Sequence, residues 1–203
     1  MDTASVLLPP TGKGRRYERK ALKIRDFAGV KLDEKLDPFA LAGYANLQVI
    51  SLDQIEGLSP AAKAQLLEID PGAWSGGASR VLPDGSRLII LNPTHGPERQ
   101  AATLMEEVCH VFLGHQPNRL GAPVTVGGGR HRDFNQADEE EAYAVGAAAL
   151  VPYFALRRAL ESGAAVAEIA RRFGVSRMLV EYRLKVSRLW PEYQKYATKS
   201  SHL

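Results

Sequence analysis

Apolar residues recur at helical spacing through most of this chain and switch to a strand-like pattern in two places. Tyr17, Leu22, Ile24 and Phe27 punctuate a lysine- and arginine-rich stretch at intervals that can share one helix face. Pro38 suits a helix start, and Ala40 to Leu47 continue an apolar-rich helical pattern. Leu47-Gln48-Val49-Ile50 reads as a short strand. Residues 78–82 and 87–91 flank the turn formers Pro83-Asp84-Gly85-Ser86 and predict a hairpin.

The period then returns to that of a helix. Asn92 to Pro97 reads as a loop leading into a helix from Glu98 to about Leu113, with Gly114 as its stop. Residues 116–137 are rich in glycine, proline and polar groups, including Gly127-Gly128-Gly129, and read as a connecting loop. A further helix begins near Asp138, where Glu139, Glu140 and Glu141 lie close to its positive N-terminal end. It passes into a small-residue apolar run, Ala142 to Leu156, broken by Pro152. That run is shorter than the roughly 20 residues a bilayer requires, so a buried helix is expected and no membrane association. Val166 to Leu184 reads as helix, glycine turn, helix, the form of a helix-turn-helix.

These elements predict an α+β fold, mostly helical, with a small antiparallel sheet. The expected organisation is a basic arm or helix over 1–36, a globular domain over 37–160 and a helix-turn-helix-like segment over 161–203 packed on it. With 203 residues, 45% of them hydrophobic and 24% charged, the chain can bury a sizeable core. Its lone cysteine, Cys109, excludes an intrachain disulfide and points to a reducing compartment. The first ten residues lack the apolar run of a signal peptide, so a cytoplasmic location is expected.

Charge changes the picture at the N-terminal end. Residues 11–31 hold eight basic and two acidic side chains, a local +6 in a chain of net +3. Such a segment fits a partner that carries phosphate, or else a solvated helix pinned by its apolar face.

Chemistry concentrates in Thr103-Leu104-Met105-Glu106-Glu107-Val108-Cys109-His110-Val111-Phe112-Leu113-Gly114-His115. At about 100° per residue, Glu106 and His110 lie about 40° apart, one turn removed, with Cys109 on the same side. Glu107 is turned about 100° from Glu106, the offset that in H-E-x-x-H sets a general-base carboxylate beside a metal-activated water. His115, about 140° from His110, is a poor co-ligand from a continuous helix. The string E-E-x-x-H makes the first ligand a carboxylate, which zinc accepts as it does imidazole. Cys109 is a candidate inhibitory fourth ligand, through a thiolate filling the open coordination position, or else a small buried hydrophobe.

The chain resembles the ImmA/IrrE family of metallopeptidases over residues 37–190. The resemblance rests on Asp37-Pro38-Phe39, the hairpin ending Ile89-Ile90-Leu91-Asn92, and Glu98-Arg99 with Thr103 ahead of the motif helix. It also rests on Leu113-Gly114-His115 and on Glu139-Glu140-Glu141-Ala142 followed by Gly146-Ala147-Ala148-Ala149-Leu150-Val151-Pro152. It implies a zincin-like minimal peptidase in which Glu106, His110 and Glu139 hold Zn2+, with Glu141 the runner-up for the third position. Glu107 then activates water for peptide hydrolysis. Tyr182, Arg183 and His131 are the candidates for stabilising the oxyanion.

The function implied is regulatory. Similar peptidases cleave a partner helix-turn-helix repressor and so release stress, DNA-damage, prophage or anti-phage genes, as in CBASS operons. Single-stranded DNA held by the 13–31 arm is the expected activating ligand. The alternative class is a peptidase scaffold without activity that serves as a nucleic-acid- or protein-binding regulator. A third reading makes residues 164–187 a DNA reader with Arg177 and Glu181 in the major groove, against a structural role for the same segment.

Overall fold

Thr11 starts helix α1 (Gly12–Phe27) by accepting a hydrogen bond from the Gly14 amide at 3.0 Å, which satisfies one of the free donors of the first turn. The computed structural model of the protein describes residues 8–115 and 135–200. Along α1, Tyr17, Ala21 and Ile24 are buried, so the basic segment is a helix pinned to the core. Leu22 is half-buried. Phe27 stays largely exposed, its ring edge-on to Tyr44 and Phe112. Arg25 closes the far end of α1 by donating to the carbonyls of Ala149, Lys31 and Glu34.

Asp37 caps helix α2 (Pro38–Tyr44) through the Phe39 amide, and Pro38 occupies its first turn, as expected. Then follow β1 (Leu47–Ile50), the short helix α3 (Pro60–Ala64), β2 (Gly76–Ala78) and β3 (Arg87–Leu91). The sheet order is β1-β3-β2. The hairpin forms with Gly76 opposite Leu91 and Ala78 opposite Ile89, two residues earlier on its first strand than the apolar pattern suggests. Gly85, at φ +82°, makes its turn. The sheet is mixed rather than antiparallel throughout: β1 runs parallel to β3, Leu47 beside Arg87 and Ile50 beside Ile90. Residues 51–75 start and finish at the same end of the sheet and pass from one edge to the other, so β2 runs opposite to β1, and β3 runs parallel to β1. Gly76 is required where β2 presses on the next helix, because a Cβ there would lie 2.8 Å from Thr103 Cγ2.

Helix α4 (Pro97–Phe112) matches the expected motif helix within one residue at each end. Buried Asn92 positions its approach, donating to the carbonyls of Pro71 and Trp74 and accepting from Thr94. Helix α5 (Gln136–Leu150) is buried almost all round from Ala142 to Leu150, as a helix apolar on every side must be, and lies between α1 and α4. Its small residues permit the close approach. A Cβ on Gly146 would sit 3.4 Å from Met105 Cγ and 3.5 Å from the Cys109 sulfur. The connecting segment with Gly127-Gly128-Gly129, and His131 with it, lies outside the described residues.

Helices α6 (Tyr153–Glu161), α7 (Val166–Phe173), α8 (Arg177–Val186) and α9 (Trp190–Ser200) complete the fold. Gly174 at φ +64° turns α7 into α8, and Ile169, Phe173, Leu179, Val180 and Leu184 enter the common core. Arg183 reaches across to Glu18 of α1 at 2.7 Å and donates to the Val151 carbonyl at 3.0 Å. The other Glu18 oxygen accepts from the Tyr153 amide at 2.6 Å. This buried clamp fastens the helix-turn-helix-like segment to α1 and to the α5–α6 junction. The fold is α+β and mostly helical. Among the described residues, no helix is long and apolar enough to cross a membrane.

Candidate metal centre

Helix α4 presents Glu106, Glu107 and His110 from just over one turn, because residues one, three and four apart are the ones a helix brings near each other. Asn135 caps α5 through the Ala137 amide, which places Glu139 in its first turn, where the helix dipole favours a carboxylate. The two helices pack antiparallel: His110 meets Glu139 while Met105 meets Gly146.

Glu106, His110 and Glu139 each offer a ligand atom, and these three atoms lie within 4.8 Å of one another. His110 Nε2 stands 3.5 Å from Glu139 Oε2. Burial and the neighbouring Glu139 and Glu107 charges push the Glu106 carboxyl up to about 7. Glu107 is likewise pushed up to about 7, by burial first and Glu139 second, against the opposing pull of Arg87. Burial holds the His110 imidazole below its ordinary value despite the attraction of Glu139. Among the described residues, Glu106, Glu107 and Glu139 crowd together beside an imidazole held below its ordinary value. Such a donor set fits a divalent cation, and its oxygen and nitrogen atoms suit zinc.

The remaining expected residues are dispersed. Cys109 is fully buried with its thiol against Gly146, outside the converging trio, and burial pushes that thiol far up toward its neutral form. Successive helix positions diverge by about 100°, so His110 faces the cluster and Cys109 faces the core. This geometry gives Cys109 the part of a small hydrophobe rather than a fourth ligand. Glu141 pairs with Lys20 at 2.7 Å instead of joining the trio. Arg183 is committed to Glu18, which removes it from the oxyanion candidates.

Tyr182 stands behind another ring: it meets Tyr143 edge-on at 4.9 Å between centroids. Tyr143, one turn after Glu139, is the tyrosine nearer the cluster, and burial and the Glu106 charge raise its phenol. Its position four residues after Glu139 was the available signal. His115 also returns to the site. Gly114 at φ +72° reverses the chain after α4, and the His115 ring meets His110 Nδ1 to Nδ1 at 3.1 Å.

Residues 61–185 match the family model Peptidase_M78, described as the IrrE N-terminal-like domain. No curated protein matches the chain. Among solved structures, a transcriptional regulator from Mycobacterium tuberculosis is similar at 15% identity with a TM-score of 0.49, covering 83% of this chain and 46% of that one. The chain thus spans less than half the length of that regulator.

Proposed function

The chain belongs to the Peptidase_M78 family of IrrE N-terminal-like domains, and from that premise we propose that it is a zinc-dependent endopeptidase that cleaves a helix-turn-helix repressor in a stress, DNA-damage or anti-phage response. The observation that carries this reading is the convergence of Glu106, His110 and Glu139 within 4.8 Å beside a half-buried Glu107. Those three side chains hold the ion. Once bound, zinc supplies Lewis acidity toward water and a peptide carbonyl.

Glu107 takes the proton from the attacking water and delivers it to the departing amide nitrogen. Its burial suits that exchange, since a carboxyl withdrawn from water is a stronger base than a free one. Tyr143 is the phenol placed to donate toward the developing oxyanion. Among the described residues, strand β2 pairs with β3 on one side only and packs on α4, so its other edge offers an extended substrate backbone groups for strand addition. The test is incubation of the zinc-loaded protein with a panel of small helix-turn-helix repressors, drawn first from any such genes found beside its own. A discrete cut seen by mass spectrometry, absent without metal, supports the reading, and an intact substrate in every condition contradicts it.

Single-stranded DNA is the proposed activating ligand, held by α1. Three of the seven basic side chains of α1 are engaged within the chain, because Lys13 pairs with Glu140, Lys20 with Glu141, and Arg25 is buried. Arg15, Arg16, Arg19 and Lys23 remain exposed on the outer face of the helix. Changing Arg16, Arg19 and Lys23 together to Gln is expected to weaken oligonucleotide binding. It should flatten the dependence of log K on log salt by roughly 0.7 for each phosphate that is no longer neutralised, about 2 in all. Fluorescence anisotropy over a salt series measures this, and an unchanged slope removes α1 as the binding surface.

A second reading, a regulator without peptidase activity, draws on the carboxylate at position 106. A more anionic donor set makes a bound zinc a weaker Lewis acid. Under that reading the exposed face of α1 still binds DNA and Glu107 has no chemical task.

A further inference from the structure

The two nitrogens of a metal-bound imidazole do different work, and the partner of the second nitrogen fixes ring orientation and tautomer. In the cluster described above, His110 turns Nε2 toward Glu139 at 3.5 Å, which leaves Nδ1 on the far side of the ring. That nitrogen meets His115 Nδ1 at 3.1 Å, with the two rings edge to face at 5.1 Å between centroids. The second nitrogen of His115, Nε2, lies 3.4 Å from Glu141 Oε2 and 3.9 Å from Asp138 Oδ1. The other oxygen of Glu141 accepts from Lys20 Nζ of α1 at 2.7 Å.

Only one distribution of protons satisfies this series in full. His110 must offer Nε2 as a lone pair for the ion, so Nδ1 carries the proton and donates to His115 Nδ1. His115 then carries its own proton on Nε2 and donates to Glu141, which as a carboxylate accepts from both His115 and Lys20. The His115 side chain is 7% exposed, so water competes little for these bonds.

We propose that His115 is a positioning residue for the metal centre: it accepts the His110 Nδ1–H, fixes the ligand tautomer, and is itself fixed by Glu141 and Lys20. The proposal rests on the reading of Glu106, His110 and Glu139 as the ligand set. It gives the N-terminal helix a direct connection to a metal ligand, from Lys20 through two side chains to His110. Gly114 is the residue that makes the connection geometrically available, since its left-handed backbone is costly for any side chain-bearing residue.

The test uses the full chain and compares wild type with His115→Phe, His115→Asn and Glu141→Gln. Zn2+ affinity is measured by competition with a chromogenic chelator, and the d–d absorption bands are recorded with Co2+ in place of Zn2+. Phe fills the space and removes the acceptor, and a loss of about 10–100-fold in Zn2+ affinity is expected, with shifted Co2+ bands. Asn offers Oδ1 close to the position of Nδ1 and is expected to recover most of the affinity and the wild-type bands. Glu141→Gln leaves the packing intact and is expected to give a smaller loss in the same direction, which keeps the proposal testable if His115→Phe does not fold. Wild-type affinity and bands in both His115→Phe and Glu141→Gln overturn the proposal and leave the ligand set standing. Failure of the wild-type protein to bind either ion overturns the ligand set, and this proposal with it.

Discussion

Replacement of Glu107 by Gln is expected to lower kcat/KM for peptide hydrolysis by about 10²–10⁴-fold, the range ascribed to a positioned general acid–base group. The substitution keeps the size of the side chain and removes its ability to carry a proton at neutral pH. Because Glu107 lies outside the three converging ligands, metal content and thermal stability should stay at wild-type levels. That pairing of an unchanged metal load with lost turnover separates a proton-transfer role from a structural one. Steady-state cleavage of a peptide spanning the repressor's cut, with zinc determined on the same samples, measures both. Activity within threefold of wild type would remove Glu107 from the chemistry.

The largest stability effect is expected at the buried clamp, where Arg183→Met should cost about 3–5 kcal/mol in equilibrium urea unfolding. Glu18 and Arg183 have side chains only 1% and 5% exposed, and Glu18 also accepts from the Tyr153 amide. Removal of the guanidinium therefore leaves a buried carboxylate without its counter-charge. The Val151 carbonyl loses a donor at the same time. The double change Glu18→Met with Arg183→Met should recover part of the loss, since an apolar pair does not strand a charge. A cost below about 1 kcal/mol for the single change would show that the segment over α7 and α8 is not held by this clamp. A large cost supports its structural role over DNA reading, although Arg177 and Met178 of α8 remain exposed.

The local features of the site were legible in the residues themselves. Periodicity and the Gly114 stop defined α4 to within a residue at each end, and the same helical offsets put Glu106 and His110 on one face. Glu139 came from a resemblance rather than from spacing, because nothing local relates residue 139 to a helix about thirty residues earlier. His115 escaped for a specific reason. An angle of about 140° holds only while the helix continues, and the positive φ at Gly114 folds the chain back onto His110.

Other differences also come from pairings distant in sequence. The parallel match of β1 to β3 is set by the route of residues 51–75, which carry little strand or helix periodicity. The charge of the N-terminal segment was apparent, whereas its partial neutralisation by Glu140 and Glu141 depends on α1 lying against α5. Cys109 looked like a ligand because it shares a broad helix side with Glu106. Its partner lies on the other helix, where the thiol packs in the core beside Gly146.

Metal content per chain tests the central claim most directly. Elemental analysis of protein purified without chelator should find about one zinc per wild-type chain and little in Glu106→Ala or His110→Ala. All three proteins should share the same circular dichroism spectrum, so that loss of metal is not loss of fold. A wild-type chain without metal, or zinc retained in both variants, would contradict the metal centre and the peptidase function built on it.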